Sequence, residues 1–431
     1  MGLSPAPSSA GIDLARFIRP GDMVVWGQAC AEPRTLTRAL TRQRAAIGPI
    51  RCFLGIILPS EVEPTAWDGG HWVAYGGGGV TRNLDREGAL DILPSRYSDL
   101  PGLLTSGAFR ADAVFVQVTP GKVAGTYHFA LAAEYLVAAA RAARVVIAEV
   151  NALAPHSPDA PVLHSDDITA VVHGAYPPGE LAAVSPGPTD LQIASHVAAL
   201  VEDGSTLQMG IGSLPEVIVR GLADRRDLGV HSGAIGDSVA ELTELGVITN
   251  ALKACDPGKT VCGLLTGTSR LFAFADGNRG VALRGTDYTH NPAVLAAQPR
   301  LVTINSAVEV DLTGQVNCEV AGTRYIGAVG GVLDFQRAAH QSRGGLPLTA
   351  LRSTAGGRST IVGRLSGPVT LPRSEAGIVV TEYGAADLRG LTLAQRRERL
   401  LSIAHPDHQD ALAAAAPGPG EVRNTGRSTV S

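Results

Sequence analysis

Two short apolar runs separated by a helical stretch constrain the fold of this chain more than any other feature. Residues 114–118 (VFVQV) and 145–148 (VVIA) predict buried strands, and the Ala-rich stretch 129–143 between them predicts a helix. A strand, a crossover helix and a second strand form a unit whose strands run parallel and whose sheet is covered on both faces. Residues 23–26, which follow a Pro-Gly-Asp turn, predict another buried strand. The fold class that follows is α/β with mainly parallel sheets.

A Pro- and Gly-rich segment at residues 185–189 (SPGPT) is the clearest linker in the sequence. The chain has 431 residues, which is more than one ordinary hydrophobic core holds. Strands and helices alternate on both sides of the linker, so we predict two α/β domains, at residues 1–185 and 190–415. Residues 416–431 are rich in Pro, Gly, Ser and Thr, which predicts a disordered tail.

Charge and cysteine content narrow the classes of partner and site. The net charge of −4 gives no general attraction to nucleic acid or to an anionic membrane surface. The five cysteines form no CxxC pair, which argues against a zinc site and against a disulfide framework. No secretory signal is evident, and no uncharged apolar stretch reaches the ~18–20 residues that span a bilayer. We therefore expect a cytoplasmic protein without a metal and without a nucleic-acid or membrane partner.

Two glycine loops are the first candidates for chemistry. Residues 210–215 (GIGSLP) lie between a predicted strand and a predicted helix, where missing Cβ atoms and a helix N-terminus suit an anion or a carbonyl oxygen. Pro215 stands in the place of the third glycine, so this loop is not the dinucleotide-binding fingerprint. In residues 327–335 (GAVGGVLDF), the adjacent Gly330 and Gly331 can expose successive N–H groups, as an oxyanion hole requires. An ordinary tight turn is the structural alternative for both loops.

Both loops belong to a longer, ordered series of segments. In the second half these are residues 207–215 (LQMGIGSLP), 304–317 (INSAVEVDLTGQVN), 327–335, 380–390 (VTEYGAADLRG) and 403–406 (IAHP). In the first half they are residues 27–33 (GQACAEP), 116–120 (VQVTP) and 145–151 (VVIAEVN). From about residue 15 to residue 412, the chain resembles the acetyl-CoA hydrolase/CoA-transferase family, which includes 4-hydroxybutyrate CoA-transferase.

The resemblance implies two similarly folded α/β domains with the active site in the cleft between them. It also implies transfer of coenzyme A from an acyl-CoA to a carboxylate through a glutamyl-CoA thioester, with acyl-CoA as the small-molecule partner and a homodimer as the assembly. Gly330 and Gly331 would supply N–H donors to the thioester oxygen. The other positions that the resemblance assigns to the catalytic site or to substrate and CoA binding are Asn291, Glu382, Gln208, Gly210, Gly212 and Gln117.

The glutamate nucleophile that this resemblance implies is missing. In the family, the nucleophile follows a His-Ser or His-Thr pair and precedes a short run that ends in Asp. Here residues 231–237 read HSGAIGD, so Gly233 stands at the position of the glutamate. Glycine has no side chain, so neither a glutamyl anhydride nor glutamyl-CoA forms there. A second departure lies at residues 121–128, where the family's acidic residue and Gly-Tyr pair are replaced and His128 adds a polar group.

Three interpretations stay open. In the first, the protein activates the carbonyl of a bound acyl-CoA, and water or a nucleophile of the substrate attacks it, which gives hydrolysis, acyl transfer or cyclisation within a biosynthetic pathway. In the second, a relocated carboxylate such as Glu149, Glu319 or Asp237 restores CoA transfer. In the third, the protein binds acyl-CoA without catalysis.

Few groups are available for acid–base catalysis. His231 adjoins the vacated position, and an ordinary histidine suits proton transfer near neutral pH; a His that only binds the main chain is the alternative. His128 is a candidate for the acyl pocket, and Glu319 is either a pocket carboxylate or a structural one. Retention of Asn291 and Glu382 beside the predicted oxyanion loop favours an enzyme over a binding protein.

Overall fold

The computed structural model describes residues 11–59, 70–181 and 185–415, and the predicted tail lies outside them. Two large sheets dominate these residues, one in each half of the chain. The mixed α/β class with mainly parallel sheets is therefore confirmed, whereas the boundaries of the two domains stay a prediction.

In the described parts of the first half, the chain forms nine strands and four α-helices. The strands are β1 Met23–Trp26, β2 Arg51–Leu54, β3 His71–Ala74, β4 Leu90–Ile92, β5 Ala113–Pro120, β6 Thr126–Phe129, β7 Val145–Asn151, β8 Val162–His164 and β9 Ala170–Gly174. The helices are α1 Arg34–Ile47, α2 Thr81–Arg86, α3 Leu100–Thr105 and α4 Leu136–Ala142. Seven of the strands run parallel in the order β4-β3-β2-β1-β5-β7-β9, and β6 and β8 add an antiparallel edge.

Nine further helices lie in the second half. They are α5 Pro188–Ala198, α6 Ser213–Arg220, α7 Asp237–Glu244, α8 Ser269–Ala275, α9 Thr286–Thr289, α10 Pro292–Ala297, α11 Val332–Gln341, α12 Leu393–Ser402 and α13 Pro406–Ala415.

The second half contains one large sheet and several short ladders. Its strands are β10 Thr206–Met209, β11 Gly229–Val230, β12 Ala234–Ile235, β13 Thr260–Cys262, β14 Leu264–Leu265, β15 Val281–Leu283, β16 Leu301–Ser306, β17 Glu309–Asp311, β18 Val316–Asn317, β19 Val320–Ala321, β20 Arg324–Tyr325, β21 Leu346–Ala350, β22 Thr354–Ala355, β23 Arg358–Ser359, β24 Ile361–Val362, β25 Ile378–Thr381 and β26 Gly384–Asp387. The large sheet has the order β11-β10-β16-β21-β25-β26, in which only the last pair is antiparallel.

The burial of the central strands of the first sheet explains why the sequence predicts them as strands. Every residue of β1 and β7 is buried, as are the first seven residues of β5. Parallel strands with both faces covered need apolar side chains at nearly every position, which produces continuous apolar runs. The three predicted strands of this sheet are confirmed at these places.

The helix predicted at residues 129–143 is wrong in its first half. Thr126–Phe129 form β6, and α4 begins only at Leu136. Between them, residues 130–135 run as an irregular segment that bridges to the second half of the chain at Ala132–Leu264 and Glu134–Gly285. Tertiary main-chain bonding overrides the helical propensity of the alanines here, because propensity is worth only tenths of a kcal/mol per residue.

In the described parts of the chain, no helix is long and apolar enough to cross a bilayer. Nor do those parts bring together three or more His, Cys, Asp or Glu side chains in an arrangement that could hold a metal ion.

Candidate active site

The segment at residues 130–135 binds the two halves of the chain together through main-chain hydrogen bonds. The N–H of Ala133 donates to the carbonyl of Gly263 over 2.9 Å, and the N–H of Leu265 donates to that of Leu131 over 2.9 Å. On its other side, β14 pairs in parallel with β12, which follows directly after Gly233. Gly233, where the resemblance implies a glutamate, therefore lies at the seam between the halves.

The second glycine loop is fixed to the same seam. The N–H of Tyr97 donates to the carbonyl of Gly330 over 2.9 Å, and the N–H of Gly77 donates to that of Gly327 over 3.1 Å. Gly330 has a φ of +51°, a conformation that favours glycine. An isolated parallel bridge between Gly330 and Arg96 adds to this contact.

Gly233 holds its place through its carbonyl, which accepts a hydrogen bond from the N–H of Gly263 over 3.0 Å. The space where its side chain would point is occupied by the ring of His290. A Cβ atom on Gly233 would lie 3.0 Å from Cε1 and 3.2 Å from Nε2 of that ring. A Cβ atom on Gly331 would lie only 2.6 Å from the same Nε2. The imidazole thus fits between two glycines, and a Cβ atom at Gly331 would require the ring to move.

His290 is held on all sides by buried groups. Its ring centroid lies 4.9 Å from that of Tyr97 and 4.7 Å from that of Phe335. Nδ1 lies 2.9 Å from the hydroxyl oxygen of Thr289. Burial, and then the neighbouring His231, lower the pKa of His290 to about 3, because both disfavour a positive charge on the ring. The imidazole is therefore neutral at physiological pH.

A buried carboxyl group, that of Glu134, lies behind Tyr97. Gln28 Nε2 donates to it over 2.5 Å and to the Tyr97 hydroxyl over 2.8 Å, while the Tyr97 hydroxyl itself donates to the carboxyl. Its other oxygen, Oε1, has no hydrogen-bond partner among the described residues. Burial raises the pKa of Glu134 to about 8. Glu134 is thus mostly protonated at neutral pH.

A small pocket lies beside Gly233. It is lined by Gly210 and Gly212 from the first glycine loop and by Ala234 and Gly236 from the segment after Gly233. The φ of +139° at Gly212 favours glycine. The predicted residue Gln208 is buried next to this loop, where its amide pairs with that of Asn305 over 3.1 and 3.2 Å.

Two predicted catalytic residues have contacts that differ from the expected ones. Nε2 of His231 donates to the carbonyl of Thr289 over 3.2 Å, so this ring supports the segment that carries His290. Burial, with a contribution from Lys253, lowers the pKa of His231 to about 4. Asn291 caps helix α10, because its Oδ1 accepts from the N–H of Ala293 over 2.9 Å. The side chain that contacts the vacated position is therefore that of His290, the neighbour of Asn291.

The other predicted site residues have structural contacts of their own. The carboxylate of Glu382 accepts two hydrogen bonds from Ser353, over 2.6 and 2.9 Å. Gln117 Nε2 donates to the carbonyl of Glu32 over 3.1 Å. The ring of His128 lies 5.1 Å from that of His156. None of these contacts brings the side chain to Gly233.

The three carboxylates proposed as replacements for the glutamate are also engaged. Glu319 accepts from the hydroxyl of Thr370 over 2.7 Å, and Glu149 accepts from the N–H of Leu36 over 3.1 Å. Asp237 accepts from the N–H of Thr268 over 3.1 Å at the start of α8. Each of the three carboxylates therefore has a hydrogen-bond donor within the fold.

Sequence reasoning missed three residues at the seam: Tyr97, Glu134 and His290. Glu134 gave a signal, because it interrupts an otherwise apolar stretch, and His290 directly precedes a residue that the resemblance had selected. Their proximity to Gly233 depends on contacts between distant parts of the chain, which no local pattern reveals.

Comparison with known proteins agrees with this architecture. Residues 10–171 match the acetyl-CoA hydrolase/transferase N-terminal domain, and residues 267–416 match the C-terminal domain of the same family. The 4-hydroxybutyrate coenzyme A transferase of Clostridium kluyveri is 38% identical over 339 residues, which is 78% of this chain and 79% of that protein.

Solved structures give the same result. RipA from Yersinia pestis superposes with a TM-score of 0.88 at 31% identity, and 4-hydroxybutyrate CoA-transferase from Porphyromonas gingivalis superposes with a TM-score of 0.79 at 32% identity. Each comparison covers 93% of this chain and 94% of the other. The chain therefore belongs to the acetyl-CoA hydrolase/transferase family, whose members act on acyl-CoA thioesters.

Proposed function

We propose that this protein cleaves or relocates an acyl thioester of coenzyme A by direct attack on the carbonyl, with no glutamyl-CoA intermediate at position 233. The reaction is hydrolysis, or acyl transfer or cyclisation within a biosynthetic pathway. The observation that carries the proposal is the contact between Gly233 and His290. Position 233, where the resemblance implies a nucleophile, has no carboxylate, and the His290 ring packs where its side chain would begin.

The oxyanion loop supports chemistry at a thioester carbonyl. In this proposal the N–H of Gly331 donates to the thioester oxygen. Gly331 adjoins His290, whose Nε2 is 2.6 Å from the point where a Cβ of Gly331 would be. Donors that are already in place stabilise the charge of a tetrahedral intermediate without reorganisation during the reaction. The small pocket beside Gly210 and Gly212 lies next to position 233, and in this proposal its glycine loop borders the bound substrate.

A CoA-transferase with a relocated carboxylate is the second candidate, and Glu134 is the side chain that favours it. Its side chain lies near Gly233. A Cβ atom added to Gly263 would lie 3.3 Å from Cγ of Glu134 and 3.0 Å from the carbonyl oxygen of Gly233, so both groups border the same point. A carboxyl nucleophile has to be ionised, however, and the pKa of Glu134 is raised to about 8. Direct attack on the thioester is therefore the favoured reaction.

The experiment that tests the proposal follows thiol and acyl-CoA together. The protein is incubated with a panel of acyl-CoA thioesters, with and without acetate as acceptor, and free thiol and new acyl-CoA are measured. Direct attack releases one free thiol for each thioester consumed. CoA transfer instead produces acetyl-CoA in the presence of acetate and no net thiol. Tight binding measured by calorimetry without any turnover would identify a non-catalytic acyl-CoA-binding protein.

A homodimer and a cytoplasmic location belong to the same proposal. Sedimentation equilibrium tests the first, with the mass of two chains as the expected result. Fractionation of the source cells tests the second.

A further inference from the structure

We propose that Tyr97 is a positioning residue of this site, which holds the second glycine loop and the His290 ring in place without contacting the substrate. This inference rests on the proposed function, because it concerns the alignment of the Gly331 N–H with the thioester oxygen. Tyr97 belongs to the first half of the chain, whereas the loop at residues 327–331 belongs to the second. The tyrosine therefore links the packing of one half to the position of the proposed oxyanion donor in the other.

The main chain around Tyr97 is the first argument. Its N–H donates to the carbonyl of Gly330 over 2.9 Å. The next residue, Ser98, donates from its hydroxyl and from its N–H to the carboxyl group of Asp334, over 2.8 and 3.2 Å. Asp334 lies in the first turn of α11, directly after the glycine loop. Gly331 therefore lies between two points at which this segment of the first half binds the second half.

The ring of Tyr97 is the second argument. Its centroid lies 4.9 Å from that of the His290 ring, and the two ring planes meet at 31°. The same imidazole lies against Gly331, whose Cβ position is 2.6 Å from Nε2. A shift of the tyrosine ring would therefore allow the imidazole to move away from Gly331, and the loop would lose this support.

The hydroxyl of Tyr97 is the third argument, because it is bound inside the first half. It donates to Oε2 of Glu134 and accepts from Nε2 of Gln28 over 2.8 Å. Oε1 of Gln28 accepts in turn from the N–H of Ile56 and from the hydroxyl of Tyr75, each over 2.8 Å. The side chains of this network are buried. Hydrogen bonds in such a buried network are strong, and they fix its members in one arrangement.

The position of a donor decides how much it contributes to catalysis. A misplacement of about 1 Å, caused far from the reacting atoms, can lower a rate by about a hundredfold. Loss of the tyrosine hydroxyl would release the ring at one end, while the main-chain bond to Gly330 stays. The loss of rate should therefore be smaller than that from removal of an oxyanion donor, which costs about 10²–10³-fold.

Tyr97→Phe tests this role, and Tyr176→Phe is the matched control. The hydroxyl of Tyr176 also donates to a buried glutamate, Glu149, but that pair lies within the first half and away from the glycine loop. Glu134→Gln keeps an oxygen in the place of Oε2, so it should retain the bond to Tyr97, whereas Glu134→Leu removes the acceptor.

Thiol release, acyl-CoA binding and chemical denaturation are measured for each protein. We expect Tyr97→Phe to lower the kcat of thiol release by about 10–10²-fold and to leave KM unchanged, because the donor is displaced while the binding contacts remain. Glu134→Leu should lower kcat to a similar extent. Glu134→Gln and Tyr176→Phe should keep the wild-type kcat.

A second readout is the carbonyl stretching frequency of a bound ketone analogue, labelled with ¹³C, of the acyl-CoA that binds most tightly. In this analogue a methylene group replaces the thioester sulfur, so it is not cleaved. Tyr97→Phe should raise the frequency above its value in wild type, because a misaligned donor polarises the carbonyl less. A general loss of stability would not change this frequency, so Tyr176→Phe should give the wild-type value.

The outcomes separate the two proposals. If Tyr97→Phe matches wild type in kcat and in carbonyl frequency, the role of Tyr97 is overturned and the proposed function stands. A fall in kcat that Tyr176→Phe shares, or a change in KM alone, would also overturn the role of Tyr97. Equal impairment of Glu134→Gln and Glu134→Leu would contradict the anchoring by the carboxyl oxygen.

Failure of the proposed function gives a different pattern. If wild type transfers CoA to acetate, or binds acyl-CoA without turnover, the proposed function fails. The role of Tyr97 is then supported by a raised carbonyl frequency in Tyr97→Phe and overturned by an unchanged one. If wild type binds no acyl-CoA, both proposals fail.

Discussion

The imidazole of His290 packs against the backbone of Gly233, with Cε1 3.0 Å from the point where a Cβ atom would be. Two carbon atoms at this distance would have to move apart. A side chain at position 233 is therefore accommodated only if the ring at position 290 shifts or is smaller. Tyr97 and Phe335 pack around the same ring and limit its freedom to move aside. The glycine at 233 and the buried histidine at 290 therefore fit each other closely.

Gly233→Glu should not restore CoA transfer by itself. The new side chain would collide with the His290 ring, and overpacking of this kind costs about 1–3 kcal/mol of the free energy of unfolding. Chemical denaturation of the variant measures the loss, and the acetyl-CoA assay measures transfer.

The double variant Gly233→Glu/His290→Ala provides the control. Removal of the ring should offset part of the cost, which gives a coupling energy of at least about 0.5 kcal/mol in a double-mutant cycle. Additive effects of the two changes would contradict the contact between the residues.

The sheets could be predicted from the sequence, whereas the seam between the halves could not. β1, β5 and β7 are buried on both faces and read as apolar runs. The segment before α4 is rich in alanine and reads as a helix, but its main chain bonds to Gly263 and Leu265. Pairing between residues more than a hundred positions apart leaves no local pattern in the sequence.

Gly331→Ala should impair both stability and turnover. The added methyl would lie 2.6 Å from Nε2 of His290 and 3.2 Å from the ring of Phe335, so the imidazole would have to move. We expect a loss of about 1–3 kcal/mol, measured by denaturation, and slower thiol release. Gly102→Ala, whose new methyl would meet nothing within 4 Å, is the matched control. Equal behaviour of the two variants would argue against a tight fit at Gly331.

Glu134 should make stability depend on pH. Its pKa is about 8 in the folded protein and close to the ordinary 4.5 in the unfolded chain. Between these values the folded state binds the additional proton, so its stabilising contribution is complete below about pH 4.5 and is lost as the pH rises to 8.

The measurement is the free energy of unfolding of wild type and Glu134→Gln at several pH values from 5 to 8. The amide does not titrate, so the decrease with rising pH should be smaller in the variant. Parallel curves for the two proteins would show that Glu134 is ionised in the folded state.

Asn291→Ala should act mainly on stability. The substitution removes the side-chain cap of α10, which is worth about 0.5–2 kcal/mol. Asn291→Asp keeps an oxygen at the capping position and should retain most of the stability. A wild-type free energy of unfolding in the alanine variant would contradict the capping role.

The candidate site was predicted in part. Both glycine loops and the vacated position came from the sequence, and the pocket beside Gly233 is lined by Gly210 and Gly212. Asn291 was selected through the resemblance, yet its side chain turns to the helix that it caps. The ring at position 290 was missed because its role depends on the absence of side chains at two distant glycines.

Mass spectrometry of the intact protein during turnover tests the central claim most directly. The protein is mixed with an acyl-CoA that it consumes and is quenched within the first turnovers, with hydroxylamine or borohydride treatment of a parallel sample. The account predicts release of free coenzyme A while the mass of the protein stays that of the unmodified chain. A mass increase that corresponds to a coenzyme A thioester, located by peptide mapping to a glutamate or aspartate, would contradict it.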